Sequence, residues 1–186
     1  TDATTAFSDN NSFIWDNNTH WPGGAGDDPN VYQAWMWKRH AGFDVVTYKG
    51  NGVARQIPHS LSKVPEMIWV KRRDSARTWG VYHKGLNGGT NPEQYAIYLD
   101  TTQAENSSSQ WNNTAHTAIN FSLGTSTTTN NSSGTYIAML FASTDVSKVG
   151  SYTGNGSTGQ TISTGFAPRF VIIRKYNDAA NWLVLD

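Results

Sequence analysis

The chain has 186 residues, with 14 basic and 14 acidic side chains and no cysteine. The zero formal charge excludes the electrostatic attraction to nucleic acid or to an anionic membrane that a basic protein has. The missing cysteines exclude disulfides, thiolate nucleophiles and cysteine-ligated metals. No window approaches the roughly 18 consecutive apolar residues of a membrane-spanning helix, so we expect no insertion into a membrane.

The composition favours an all-β protein. Charged residues make up 15% of the chain and aromatic residues 12%, with eight Trp and eight Tyr. Strong helix formers are scarce, whereas β-branched, aromatic and turn residues are frequent. These proportions predict antiparallel strands joined by turns.

The N-terminal region contains three tryptophans near the glycine-rich sequence GAGDDPN. Tryptophan suits surfaces that are apolar at one end and wet at the other. Trp21, Trp35 and Trp37 are therefore candidates for sugar stacking or subunit contact, with burial in a core as the alternative. Asp27 and Asp28 offer oxygen ligands, but the alternating acidic pattern of a calcium loop is missing, so an ordinary turn is the preferred interpretation.

A strand and a tight turn follow. FDVVTY (Phe43–Tyr48) is an apolar run that stops at Gly50, Asn51 and Gly52. Asn-Gly is a hairpin signal because both residues tolerate positive φ. The pattern predicts that the turn folds this first strand back against RQI (Arg55–Ile57).

The next strand carries apolar groups on both faces. EMIWVKR (Glu66–Arg72) places Met67 and Trp69 on one side and Ile68 and Val70 on the other. This pattern predicts a central strand that is buried on both sides. The sequence TWGVYHK follows it and predicts a hairpin through RDSAR.

Further segments complete the predicted sheet. QYAIYLD (Gln94–Asp100) alternates, and AINFSL and YIAMLFA (Tyr136–Ala142) read as strands. A helical turn is predicted near Gln103–Ser108. The low-complexity stretch TSTTTNNSSG (Thr125–Gly134) is predicted to be either a flexible connector or a receptor-facing loop. Seven or eight strands per unit fit an antiparallel β-sandwich.

The turn occurs twice in the chain. YKGNG at Tyr48 returns 104 positions later as YTGNG at Tyr152. At this offset Tyr32–Gly52 aligns with Tyr136–Gly156 without a gap, and seven of the 21 pairs are identical. After a slip of one residue, PEMIWVKRRD aligns with PRFVIIRKYN. The repeated turn motif comprises Tyr48, Gly50, Asn51, Gly52, Tyr152, Gly154, Asn155 and Gly156.

The repeat predicts the domain organisation, with a unit of about one hundred residues. We expect one complete unit at 43–150, the back half of another at 1–42 and the front half of a third at 151–186. The two halves either belong to an array or pack together as one permuted unit. The predicted fold is a tandem of antiparallel β-sandwich units of jelly-roll or lectin-like type.

Five long stretches carry a resemblance to a known repeat domain. They are WKRHAGFDVVTYKGNG, SLSKVPEMIWVKRRDSARTWGVYHKGLNGGTNPEQYAIYLDTT, QWNNTAHTAINFSLG, YIAMLFASTDVSKVGSYTGNGSTGQTISTGF and PRFVIIRKYNDAANWLVLD. Together they resemble a repeat domain of tail-associated and other structural proteins of tailed bacteriophages, especially marine ones. The resemblance covers nearly the whole chain from Trp37 onward. In that family the domain often follows a lectin-like jelly-roll module.

The resemblance implies a component of the virion. The expected function is a non-enzymatic tail fibre or adhesin that contributes to attachment at the host surface. Its expected partners are other virion proteins, further copies of itself and a host-surface glycan, and a homotrimer is expected because fibres of this type are usually trimeric. A capsid decoration or lattice protein is the first alternative, and a carbohydrate-active depolymerase is the second.

The residues themselves predict no catalytic centre, metal or cofactor. Hydrolysis of a glycosidic bond needs paired carboxylates, and the few acidic residues do not pair across the repeats. No nucleophile elbow is present, and the histidines lack the spacing of metal ligands. The basic sequences KRRD and KRH are predicted to be strand ends that reach solvent or pair with Asp. The five histidines are His20, His40, His59, His83 and His116.

Overall fold

The computed structural model describes residues 37–39 and 42–186. These residues belong to one compact unit that spans Trp37–Asp186. The strands are β1 (Phe43–Lys49), β2 (Arg55–Pro58), β3 (Met67–Arg72), β4 (Gly80–His83), β5 (Tyr95–Tyr98), β6 (Asn106–Ser107), β7 (Asn120–Leu123), β8 (Thr135–Phe141), β9 (Val171–Ile173) and β10 (Leu183–Leu185). One short helix, α1 (Thr127–Asn130), and two 3-10 turns, Leu86–Gly89 and Pro92–Gln94, accompany them.

Every strand pair in the described residues is antiparallel, which confirms the all-β prediction. The main sheet has six strands in the order β1-β8-β3-β4-β5-β6. Two smaller sheets pair β2 with β7 and β9 with β10. The predicted hairpin through RDSAR is confirmed, because Trp69 lies opposite Val81 in the β3–β4 ladder.

The main sheet is covered on both faces, as the pattern of β3 predicts. Ile68 and Val70 point to one face, here called the inner face, and pack with side chains of β2 and β7. Trp69 points to the opposite, outer face, where side chains of the C-terminal segment, including Trp182, pack partly over the sheet. Ile68 and Val70 are fully buried and Trp69 nearly so. Since side chains alternate along a strand, β3 contributes to two apolar clusters at once.

A buried carboxylate connects β1 to the chain that follows β2. Asp44 is fully buried and accepts hydrogen bonds from Arg39 Nε at 2.6 Å, from Ser60 N at 2.7 Å and from Val45 N at 2.9 Å. Burial by itself would raise the pKa of Asp44, but the hydrogen bonds outweigh it and leave the pKa below its ordinary value. A satisfied buried carboxylate fixes the geometry of this corner.

Two local predictions are wrong. The first strand does not fold back on its successor, because β1 pairs with β8 along its whole length and β2 pairs with β7. The predicted helical turn near Gln103–Ser108 contains β6 instead, where Asn106 lies opposite Ala96 of β5. In both places the backbone finds a partner far away in the sequence, which local propensity does not reveal.

Candidate functional site

The first copy of the turn motif, Tyr48–Gly52, docks against the loop that follows α1. Gly50 N donates to Gly134 O at 2.7 Å, and Ser133 N donates back to Gly50 O at 3.0 Å. Gly52 N donates to Asn130 O at 2.9 Å. The turn therefore leaves β1 and binds the chain just before β8 instead of forming a hairpin with β2.

Asn130 is the centre of this docking. Its side chain is fully buried, and its Oδ1 accepts from Asn51 N at 3.1 Å. Its Nδ2 donates to Val53 O and to Gly124 O, both at 2.8 Å. One amide thus binds three backbone groups in two segments, the turn itself and the chain just after β7. Thr125–Gly134, predicted to be a flexible connector or a receptor-facing loop, contains the short helix α1 and packs against the turn through the buried Thr129 and Asn130; its contact with a receptor stays a prediction.

The tyrosine and the first glycine of the motif have direct structural roles. The Tyr48 ring stacks on Tyr136 with centroids 5.1 Å apart, and its hydroxyl donates to Thr129 O at 2.6 Å. Burial raises the pKa of Tyr48 well above its ordinary value. A β-carbon on Gly50 would overlap the Asn131 carbonyl oxygen. Only glycine allows this close approach of two backbones.

The second copy of the motif, Tyr152–Gly156, keeps the same local turn. Gly52 and Gly156 have φ of 72° and 71°, a region that favours glycine. The side-chain oxygens of Asn51 and Asn155 each accept from the backbone N–H two residues further on, at 3.0 Å and 2.9 Å. The turn conformation therefore follows from the motif itself.

A side-chain amide also meets the asparagine N–H in both copies. Asn51 N donates to Asn130, and Asn155 N donates to Gln160 Oε1 at 3.3 Å. Gln160 Nε2 donates to Thr153 O at 2.8 Å. The two amides differ in their distance along the chain: Asn130 is far from the turn it binds, whereas Gln160 is five residues from Asn155.

The surroundings of the two turns differ. Tyr152 is 49% exposed, and an added β-carbon on Gly154 would meet no atom within 4 Å in the described structure. Residues 149–163 contain no strand, so the second turn lacks the strand that leads into the first. The reason is the missing ladder, because β1 depends on β8 and no described strand has that role beside the second turn.

The hairpin after the second turn also repeats the first unit. Ile172 lies opposite Val184 in the β9–β10 ladder, and these positions correspond to Trp69 and Val81 shifted by 103 residues. The register of the hairpin is therefore the same in both copies. Val81 is fully buried, whereas Val184 is 37% exposed, and both of its strand neighbours are at least half exposed.

Trp37 lies in an aromatic cluster on the outer face. It stacks on Phe43 with centroids 5.5 Å apart and meets Trp69 and Phe170 edge-on at 6.2 Å and 6.4 Å. The indole is 36% exposed, so it has one packed side and one open side. The other two candidate tryptophans, Trp21 and Trp35, lie outside the described residues, as do Asp27, Asp28 and the region 1–36 as a whole.

The comparisons with known proteins give one match. Residues 2–186 match the profile of a family described as Domain of unknown function (DUF7483). The chain belongs to the DUF7483 family. No curated protein and no solved structure matches it.

The described residues of this DUF7483 domain offer no grouping of three or more acidic, histidine or cysteine side chains that could bind a metal ion. His116 is buried against the Tyr82 ring, its Nδ1 accepts from Ser122 N at 3.1 Å, and burial lowers its pKa to about 3. Burial lowers the pKa of His83 to about 4. Both imidazoles are neutral packing elements at neutral pH.

The described part of the DUF7483 domain contains no helix with the length and apolarity needed to cross a bilayer.

The sequence predicts the turn at residues 50–52 but does not predict that Asn130 binds it. Asn130 stands in a run of Thr, Asn and Ser that has no hydrophobic pattern. Its identical neighbour Asn131 gives no indication of which amide would be buried. Only the docked geometry separates them.

Proposed function

We propose that this DUF7483 protein is a non-enzymatic structural component of a tailed-phage particle, with a tail fibre or adhesin as the first candidate. It contributes to host attachment through repeated β-sandwich units. The carrying observation is the pair of hairpins with the same register, one buried within a sheet and one with its apolar strand exposed. The second hairpin thus has the same register as the first but lacks, in the described part of the chain, the neighbouring strands that bury the first one.

The physical argument concerns the exposed strand. Within the described residues, β9 and β10 pair only with each other, and Leu183 and Leu185 are 54% and 50% exposed. An apolar strand with a free edge adds another strand readily. Repeats that cannot bury their apolar faces alone gain stability by stacking on neighbours. A further β8-like strand, from another repeat or chain, would complete the second unit.

Such an assembly suits attachment. Repeated units extend the reach of a fibre, and several weak contacts with a surface combine into strong overall binding. Oligomerisation through the C-terminal hairpin would place several copies of the same surface on one particle. The expected partners are accordingly other virion proteins and further copies of this chain.

Particle location is the direct test of this function. Gold-labelled antibodies against the protein should decorate the tails of purified particles in electron micrographs. Label on the heads would instead support the capsid-decoration alternative. If purified particles carry no label while an antibody against a known virion protein binds them, the proposal is wrong.

Oligomeric state is the second test. Sedimentation of the purified chain should show a concentration-dependent homo-oligomer, and a trimer is the expected species. Leu185→Lys should weaken assembly because it charges the exposed strand. Val146→Lys is the matched control, since Val146 is 72% exposed and lies outside the strands. A monomer at high concentration would contradict the assembly argument.

A further inference from the structure

Three strand ends meet at one end of the main sheet. β1 ends at Lys49, which lies opposite Thr135 at the start of β8. On the other side of β8, Arg73 N donates to Thr135 O at 2.7 Å. Lys49 and Arg73 therefore flank Thr135 at a separation of two interstrand spacings, about 10 Å.

Basic side chains are concentrated at this end. Their charges exceed those of the carboxylates nearby, although the chain as a whole is neutral. Of these carboxylates, Asp74 is bound by Arg72 at 2.8 Å and by Thr135 N, while Asp100 accepts from Trp79 N at 3.0 Å. The basic residues are Lys49, Arg55, Lys71, Arg72, Arg73 and Arg77.

Three of these cations, Lys49, Arg73 and Arg77, are exposed, and the described structure gives their side chains no hydrogen-bond or ion-pair partner. Lys49 and Arg73 are the two that flank Thr135. Arg55 and Lys71, by contrast, bond to the carbonyls of Lys49 and Arg77 and lie over the rings of Tyr48 and Trp79. An exposed cation without a partner keeps its full charge for an incoming anion.

A shallow groove of about 300 Å³ joins Lys49 and Arg73. Its walls include Thr47, Lys49, Arg73 and Thr135. Thr47, Lys49 and Thr135 lie on the outer face, because they alternate with the inward-facing Tyr48 and Tyr136. Arg73 lies opposite Thr135, one residue beyond the inward-facing end of β3. The groove thus combines two positive charges with two threonine hydroxyls in a fixed frame of strands.

We propose that this groove binds an anionic polysaccharide, with sugar carboxylates or sulfates on Lys49 and Arg73 and sugar hydroxyls on the two threonines. The inference rests on the proposed attachment function and specifies its ligand class. The backbone separation of Lys49 and Arg73, about 10 Å, is comparable with the length of a disaccharide, so charges on alternate sugars can meet both side chains.

The groove fits a sugar polymer better than a nucleic acid. Single-stranded nucleic acids are bound through stacking of bases on open aromatic rings. The aromatic residues that line the groove are Tyr48 and Tyr136, but Tyr136 is fully buried and the Tyr48 ring stacks on it. The nearest aromatic ring along the β3–β4 hairpin, Trp79, has the Lys71 ammonium group over it at 5.7 Å from the centroid. The neutral chain also lacks the broad positive field that nucleic-acid binders have.

The test uses the full chain and defined oligosaccharides. Isothermal titration with a hexameric oligouronate at low salt should give binding, and a neutral glucan hexamer should give none. Lys49→Gln combined with Arg73→Gln should weaken oligouronate binding at least about tenfold. Lys148→Gln is the matched control because Lys148 is exposed and lies outside the sheet.

The outcomes separate this inference from the proposed function. Absence of oligouronate binding, equal binding by the double variant, or tighter binding of single-stranded DNA would overturn the inference. Tail labelling on particles does not depend on any of these results. Conversely, a protein that binds oligouronate in the groove but is absent from particles would keep the site and refute the virion role.

Discussion

Asn51 and Asn155 make the same hydrogen bond 104 residues apart, each side-chain oxygen accepting from the backbone N–H two positions on, at 3.0 Å and 2.9 Å. Around Asn51 the chain is docked, and around Asn155 it is open. The motif thus specifies the turn by itself. The turn stabilises the sheet only where a distant segment, here residues 130–134, binds it.

Gly50 and Gly154 provide a matched pair of substitutions. Gly50→Ala should lower the free energy of unfolding by about 3 kcal/mol, because its methyl group would overlap the Asn131 carbonyl. Gly154→Ala should change it by less than about 0.5 kcal/mol, since the space around Gly154 is open in the described structure. Urea denaturation of both variants measures the difference. Equal effects would show that the two turns are equally packed.

Asn130 should contribute more to the free energy of unfolding than Gln160, the residue whose amide meets the second turn. Asn130→Ala leaves Asn51 N, Val53 O and Gly124 O without their partner, so a loss of about 2–4 kcal/mol is expected. Gln160→Ala removes exposed hydrogen bonds and should cost less than about 0.5 kcal/mol. Thermal unfolding of both variants tests this order. A larger effect at Gln160 would reverse our assignment of the docked turn.

Acid should destabilise the fold through its buried imidazoles. The folded-state pKa of His116 is lowered by burial to about 3, so between pH 6.5 and pH 3 the unfolded chain binds a proton that the folded chain does not. The contribution of neutral His116 to the free energy of unfolding is therefore fully present above the pKa of the unfolded chain, and it is lost as the pH decreases. His116 alone should cost about 3 kcal/mol between pH 7 and pH 4.

The pH profile of His116→Asn checks this assignment. The Asn side chain can still accept from Ser122 N but does not titrate. The variant should therefore lose about 3 kcal/mol less than the wild type between pH 7 and pH 4. His83, whose pKa is lowered by burial to about 4, remains and gives a residual slope. Parallel profiles for the two proteins would exclude His116 as a source of acid sensitivity.

Arg174 should hold the C-terminal hairpin to the complete unit. Its guanidinium group donates to the carbonyls of Tyr98, Thr101 and Gln103. Arg174→Ala should speed amide exchange in the C-terminal segment by roughly tenfold or more while β1–β8 keep their protection. Arg169→Ala is the control, since Arg169 is exposed. Faster exchange across both regions would mean that they unfold as one.

Much of the sheet could be predicted from alternation along single strands. The pattern of Met67–Val70 correctly placed β3 at the centre, because a strand buried on both sides must be apolar at every position. The alternation of Gln94–Asp100 likewise has Tyr95, Ile97 and Leu99 on one side of the strand, and all three pack in the outer cluster. These signals lie within a few residues of each other.

What could not be predicted depends on partners distant in sequence. Gly50-Asn51-Gly52 has the residues of a hairpin turn, yet its N–H groups bind residues 130–134. The separation along the chain also makes the role of Asn130 and the groove unpredictable. Lys49 and Arg73 become neighbours only because both lie beside Thr135 of β8. KRRD was expected to be a solvated strand end, and only the sheet order shows which basic residue from another strand stands beside it.

Amide hydrogen exchange of residues 168–186, compared between the isolated chain and the proposed homo-oligomer, tests the central claim most directly. If a further strand completes the second unit, the β9 and β10 amides should exchange at least about a hundredfold more slowly in the assembly. Identical rates in the two states would contradict the account, because the exposed hairpin would then remain uncovered where the protein functions.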